Sequence, residues 1–326
     1  MKLYRSLLKE TWQICRKYKF LWIFGFFSIL LSSGGEINLF LKVLQPGLKR
    51  HFLFNIFNLL IKLISFQSLL ESLKTPSFIY LLSFIILLFL SLTFVSLVSR
   101  ASIVNAVSKE KRKEKPKFSS TLQQGIKSFW PVLGLYILAL IIIILSFSIS
   151  SLPFYLSYSS GNNLENSWGL KLFLILFFFL FIPLLFIISF VTHFALCDIV
   201  IYKNNIFKSF QNGIKLFFNN WMICLESAFL IFLIELIIGT IFLLTTWGIA
   251  SLLGFVKNIF ILTNFSLGII SIPLLFFITS TIIFILLTAI FGLFQNTYWT
   301  LLFLKLNKQK KFLSKIERIF YSLLAK

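Results

Sequence analysis

The sequence predicts an all-α integral membrane protein, with six transmembrane helices in three hairpin-like repeats and amphipathic helices on the cytoplasmic face. Three observations predict it. Of the 326 residues, 58% are hydrophobic, 43 are Phe and only 13% are charged, whereas soluble domains run nearer about 45–50% apolar and about a quarter charged. A water-soluble chain of this size has too little core volume to hide so much Phe, Leu and Ile, so the bilayer must be its solvent. Next, several apolar runs approach or exceed the roughly 20 residues that cross ~30 Å of hydrocarbon. Last, one phrase recurs. "QQGIKSFW" at 123–130 returns as "QNGIKLFFNNW" at 211–221, 88 residues on, each time just ahead of a long apolar run.

The elements follow in order. Residues 2–17 place Tyr4, Leu7, Thr11, Ile14 and Cys15 on one half of a helical wheel and Arg5, Lys9, Glu10, Gln13 and Arg16 on the other. A helix of this kind is expected to lie in the headgroup plane, apolar side down, in preference to packing on the protein. Span 1, "KFLWIFGFFSILLSSGG", is short and needs tilt or a thinned bilayer. Its long, helix-patterned approach and the lack of an A-x-A site argue against a cleaved leader. Residues 38–74 are apolar but interrupted by Lys42, Lys49, Arg50 and Lys62, and read as an interfacial or re-entrant segment. Span 2 runs from Pro76 to about Ser99 and continues into "RASIVNAVSK". A charged linker follows, "KEKRKEKPK", and then the first copy of the phrase.

Span 3 covers about 129–152 and span 4 about 170–192, with a polar loop, "PFYLSYSSGNNLENSWG", between them. Span 5 starts at Trp221 and ends near Thr246, ahead of a second interrupted, interfacial segment over 247–268. Span 6 runs from Ile269 to about Gln295, with Pro273 near its start and Tyr298 and Trp299 at the membrane boundary. Exits repeat as well as entrances: "VSRASIVNAV" at 98–107 matches "VTHFALCDIV" at 191–200. The units are therefore 1–108, 118–205 and 206–304, with a linker at 109–117 and a basic tail at 305–326. Because each holds two spans, they are parallel repeats.

Charge sets the orientation. Lys and Arg number six up to Lys19, eight from Arg100 to Lys127, three over 203–215 and seven from Lys305 on, which leaves seven of the 31 for the other side. This bias puts both termini and both phrase-bearing loops in the cytoplasm of a bacterial cell, in its cytoplasmic membrane. The net charge of +21 flanks apolar runs, so it points to anionic lipid at the cytoplasmic face and not to nucleic acid.

The N-terminal helix leading into "KYKFLWIFGFF", the passage "VTHFALCDIVIYKNNIFKSFQNGIKLFFNNW" and the exit "TYWTLLFLKL" together resemble a broad bacterial superfamily of six-span proteins. It includes the membrane domain fused to glycerophosphoryl diester phosphodiesterases, and many uncharacterised stand-alone relatives. The resemblance implies a six-span bundle in which Asp198 and the helix over 206–218 match the acidic residue and short helix before span 5. It does not bring phosphodiesterase activity, which belongs to a separate soluble barrel.

Catalytic chemistry is poorly provided for. The chain has two His, ten carboxylates, and three dispersed cysteines, Cys15, Cys197 and Cys224, without metal spacing. It has no nucleophile-elbow, phosphate-loop, dinucleotide or zinc-protease motif. No catalytic residue, metal or cofactor is expected. The polar residues worth attention are Glu235, Glu226, Asp198, Arg100, His193 and Asn105. Glu235 sits deep in span 5 as either a proton- or cation-linked site or, more plainly, a protonated side chain bonded to a neighbouring helix. Arg100 aligns with His193 and Asn105 with Asp198 across the repeated exits, and Arg100 is placed to pair with Asp198 if spans 2 and 4 adjoin. The leading expectation is a non-enzymatic membrane module that organises lipid, or a protein partner or second copy. A permease using Glu235 is the alternative, and a lipid-acting membrane enzyme a weaker one.

Overall fold

The computed structural model describes residues 2–29, 76–159, 168–262 and 266–308. Its regular structure is helical, with no strand among these residues. In chain order the helices are α1 (Lys2–Lys17), α2 (Leu21–Ile29), α3 (Pro76–Lys111), α4 (Phe118–Lys127), α5 (Phe129–Ser159), α6 (Trp168–Tyr202), α7 (Ile206–Asn219), α8 (Trp221–Leu262) and α9 (Ser266–Lys308). Five contain stretches long and apolar enough to cross a membrane: Tyr80–Lys111, Phe129–Ile149, Phe181–Tyr202, Trp221–Asn258 and Ser271–Lys308. The chain is thus a multi-pass helical membrane protein in contact with lipid. Large apolar side chains such as Phe84 and Leu87 on α3, Phe179 on α6 and Trp247 and Leu252 on α8 face outward, an arrangement that hydrocarbon favours and water does not.

The remaining expected span, span 1, begins in α2, whose described part ends at Ile29. The remainder of that span, the 38–74 segment, residues 160–167 and the tail beyond 308 lie outside the described residues. One expectation is corrected. Residues 247–262 do not form a separate interfacial piece, because α8 continues through them unbroken. Lys257 and Asn258 interrupt the apolar run, but neither breaks the backbone ladder as Pro would. At 42 residues the helix is ~63 Å long, about twice the hydrocarbon thickness.

Short helix, break and long helix recur at α4 before α5 and at α7 before α8, and α1 before α2 repeats the helix and the break, with α2 described only to Ile29. The breaks have different local causes. Pro131 stands in the first turn of α5, where its missing N–H costs nothing. A helix continuous from α4 would drive its ring into the carbonyl of Lys127. At the other phrase Asn220 both closes α7, with its Nδ2 on Leu216 O at 3.1 Å, and opens α8, whose Cys224 N–H bonds Asn220 O at 3.1 Å. Two lysines close the helices that precede α4 and α7, and both adopt the left-handed conformation: Lys113 with φ 64° and Lys203 with φ 55°. After α3, the Lys113 N–H reaches Glu110 O and the Glu114 N–H reaches Lys109 O, the paired bonds of a Schellman end.

The chain divides into two compact units. The second, Lys17–Ser99 with Leu230–Gln295, joins α2 to α9 through glycines. A Cβ on Gly25 would stand 2.1 Å from Ala289 O, and one on Gly292 would stand 2.3 Å from Gly25 O. The first unit is Met1–Arg16, Arg100–Phe229 and Asn296–Lys326. Its core includes Val104, Leu135, Phe194, Leu196, Ile223 and Leu302, all nearly inaccessible.

Within this unit the repeated phrase has a packing explanation. Each copy buries a glycine and, one turn earlier, a hydroxyl: Thr121 and Gly125 in α4, Ser209 and Gly213 in α7. α7 lies on α6 so closely that a Cβ on Gly213 would meet Val191 O at 2.8 Å. α4 meets α3 at the corresponding place, where Ser102 Oγ donates to Thr121 O at 3.3 Å. Each short helix therefore folds back on the exit helix before it.

α1 departs from expectation. Tyr4, Leu7, Thr11, Ile14 and Cys15 are buried against protein rather than turned into lipid, while Arg5, Lys9, Gln13 and Arg16 are exposed. The pattern that suits a headgroup plane suits a protein groove equally, and only the fold tells them apart. Tyr298 and Trp299, expected at the membrane boundary, are likewise buried here.

Candidate functional site

Every polar residue singled out above except Glu235 belongs to the first unit. Asp198 is only 5% exposed and lies near the end of α6. Its Oδ2 accepts from Asn204 Nδ2 at 2.9 Å and Asn212 Nδ2 at 3.2 Å. The carboxylate thus ties the 203–205 turn and α7 back to α6. Arg100, also buried, donates from Nη1 to Tyr136 Oη at 2.6 Å. The conditional ion pair between Arg100 and Asp198 is replaced by these separate arrangements. Carboxamide donors satisfy the acid without bringing a second charge out of water. His193 stacks on Trp299, with ring centres 5.8 Å apart and planes at 16°. Trp299 also meets Phe190, so the imidazole is part of an aromatic cluster.

Glu226 accepts a hydrogen bond from the Tyr4 hydroxyl, so this carboxylate anchors α1. A second anchor was not foreseen. Glu10 is the one acid on α1, and it bridges Lys111 of α3 at 2.5 Å and Lys305 of α9 at 3.0 Å. Lys305 also donates to Ser6 Oγ at 3.0 Å. Burial pulls the Glu10 carboxyl upward, but hydrogen bonds and charge from Lys111 and Lys305 outweigh it and hold the pKa below the ordinary value of 4.5. A depressed acid stabilises the fold above its unfolded pKa and loses that contribution as pH falls through its folded one. The stability gap between wild type and Glu10→Gln is therefore expected to be full at pH 6 and to close below about pH 4.5. Thermal unfolding of both proteins across that range checks it, and a gap independent of pH would refute the bridge.

Buried Cys15 has its thiol pushed up to about 12 by burial, so it serves packing and not redox chemistry. Among the described residues no three His, Cys, Asp or Glu side chains gather as metal ligands. Glu235 lies partly exposed in the apolar stretch of α8, within the second unit.

Of the hollows that open on the first unit, two bear on the polar residues. The smaller, about 500 Å³, is rich in carboxamides: Asn204, Asn212, Asn219, Asn220 and Asn307 line it with Asp198. The larger, about 1020 Å³, is lined by the end of α3, the α4–α5 break and the α6–α7 turn. It carries Lys109, Arg112, Lys127 and Lys203 against a single acid, Glu114, and Asn105 also faces it. The charged linker and the phrase lysine signalled these cations individually. Their convergence needed the fold. Tyr136 had a fainter signal, as the one hydroxyl-bearing aromatic in span 3.

No family model matches the chain, and no match to it is found among the curated proteins or the solved structures.

Proposed function

We propose that this chain is a six-span, non-enzymatic module of a bacterial cytoplasmic membrane. In this reading both termini are cytoplasmic, and the basic end organises anionic lipid. It keeps the three-unit layout, which the succession of short helix, break and long helix in the second and third units supports, and the resemblance to the six-span superfamily. One observation carries the lipid role. α1 buries most of its apolar face in protein and α4 and α7 bury the glycine face of each phrase, while cations such as Arg5, Lys9, Lys127 and Lys208 stand exposed beside outward-turned apolar rings such as Phe118 and Phe207. Basic residues held beside an anionic leaflet attract it by about 1 kcal/mol each, an attraction weakened by salt.

Reporter fusions at the two ends, together with the lipid retained on purification, test this reading. The expected result is cytoplasmic signal from both ends and enrichment of anionic over zwitterionic lipid that declines with salt. Ends on opposite faces, or no enrichment, would overturn it. A permease is the competing reading, favoured by a carboxylate in the apolar stretch of α8. Solute flux in proteoliposomes that disappears in Glu235→Gln would decide for the permease.

A further inference from the structure

We infer that the larger hollow of the first unit is a binding site for the phosphate headgroup of an anionic phospholipid whose headgroup also carries a hydrogen-bond donor. This rests on the orientation proposed above and specifies where the lipid is held.

The charge is the first ground. Lys109, Arg112, Lys127 and Lys203 converge on one hollow with Glu114 as the sole acid. The described ion pairs are Lys111 and Lys305 with Glu10, so Arg112, Lys127 and Lys203 have no carboxylate partner among the described residues. Like charges gathered around a concavity repel, and an anion placed among them relieves the repulsion.

Backbone donors are the second. α7 begins at this hollow with Asn205 as its N-cap, and the Asn205 side chain makes no capping bond. The first-turn N–H groups of α7 have no partner within the helix. The start of α5, Ser128 to Pro131, forms another wall. The N-terminus of α7 and four cations together favour phosphate.

Continuity with lipid is the third ground and selects the source of the phosphate. Trp130 is 74% and Phe207 72% exposed, and both line the hollow. Trp at this position is at home in the headgroup layer, so acyl chains have an apolar way out past these rings. Finally, Asn105 Oδ1 is buried without a hydrogen-bond partner among the described residues. An acceptor left open beside a cationic site calls for a donor on the ligand, such as a headgroup hydroxyl.

The test uses the full chain in nanodiscs of phosphatidylcholine doped with phosphatidylglycerol or with phosphatidylmethanol, an anionic diester whose headgroup has no hydrogen-bond donor, and counts lipid retained per protein. Lys127→Gln with Lys203→Gly is expected to lower phosphatidylglycerol retention at least fivefold. Lys203→Gly removes a charge at a left-handed backbone that glycine adopts freely, so it strains no native geometry at the turn. Lys113→Gly with Lys117→Gln, two cations outside the hollow, should leave retention unchanged. Asn105→Ala should abolish the preference for phosphatidylglycerol over phosphatidylmethanol and spare binding of the latter. Equal losses in the two double variants would overturn the site. Displacement of the lipid by equimolar inorganic phosphate would overturn the lipid assignment. Wild type showing no preference between the two lipids would overturn the role of Asn105. Cytoplasmic termini without specific retention would sink this site alone, whereas termini on opposite faces would sink the orientation.

Discussion

Gly25→Ala is expected to destabilise the protein by about 3 kcal/mol, near the upper end of ordinary overpacking. The new Cβ would lie 2.1 Å from Ala289 O and 2.9 Å from Leu293 N. These are backbone atoms of α9, so no rotamer change can clear them, and the two helices must move apart. In hydrocarbon, close backbone approach through small residues supplies much of helix–helix attraction, and separation forfeits it. Gly292→Ala should behave alike, since its Cβ would stand 2.3 Å from Gly25 O. Because both changes break one contact, the double variant should lose less than the sum. Gly239→Ala and Gly248→Ala are the controls. A Cβ at either meets nothing within 4 Å, and each should gain about 0.5–1 kcal/mol of helix propensity. Unfolding of the detergent-solubilised variants, by heat or denaturant, gives the ranking. Four glycines with equal effects would remove the contact from the account.

Much of this architecture was legible before the fold. The apolar runs located the long helices, and the twin phrase located α4 and α7 because its glycine is needed where a helix meets another backbone. Three things were not legible, each for a physical reason. The two-faced pattern of residues 2–17 fits any boundary between apolar and polar surroundings, so sequence alone cannot say whether lipid or protein covers Leu7. Continuation of α8 past Thr246 is hidden because a polar interruption such as Lys257 resembles a change of backbone, although Lys is a good helix former. The partners of Asp198 and Arg100 were missed because hydrogen bonding depends on where the turn carries Asn204 and where Tyr136 sits on a neighbouring helix. Of the polar residues singled out, Asp198, Glu226 and Arg100 have their described hydrogen bonds to Asn204 and Asn212, to Tyr4 and to Tyr136. Asn105 alone has a buried polar atom without one among the described residues.

Asp198→Ala is expected to cost about 1–2 kcal/mol, because it removes the charged acceptor shared by two part-buried amides. Asn204 Nδ2 and Asn212 Nδ2 both converge on its Oδ2, at 2.9 and 3.2 Å. With the carboxylate gone, the two amides turn to water in the adjoining hollow, and the 203–205 turn loses its tie to α6. Asp198→Asn keeps the shape and one acceptor oxygen, giving up only the strengthening that a charged acceptor brings, so about 1 kcal/mol is expected. The damage should also be local. The turn holds Lys203 in a left-handed conformation at φ 55°, a state a non-glycine residue keeps only while its surroundings impose it. Hydrogen exchange in Asp198→Ala should therefore accelerate over 203–212 while the α2–α9 contact near Gly25 stays protected. Acceleration spread evenly over the chain would mean that Asp198 supports the whole fold and not this turn. An unchanged rate over 203–212 would mean that the two asparagines do not hold it.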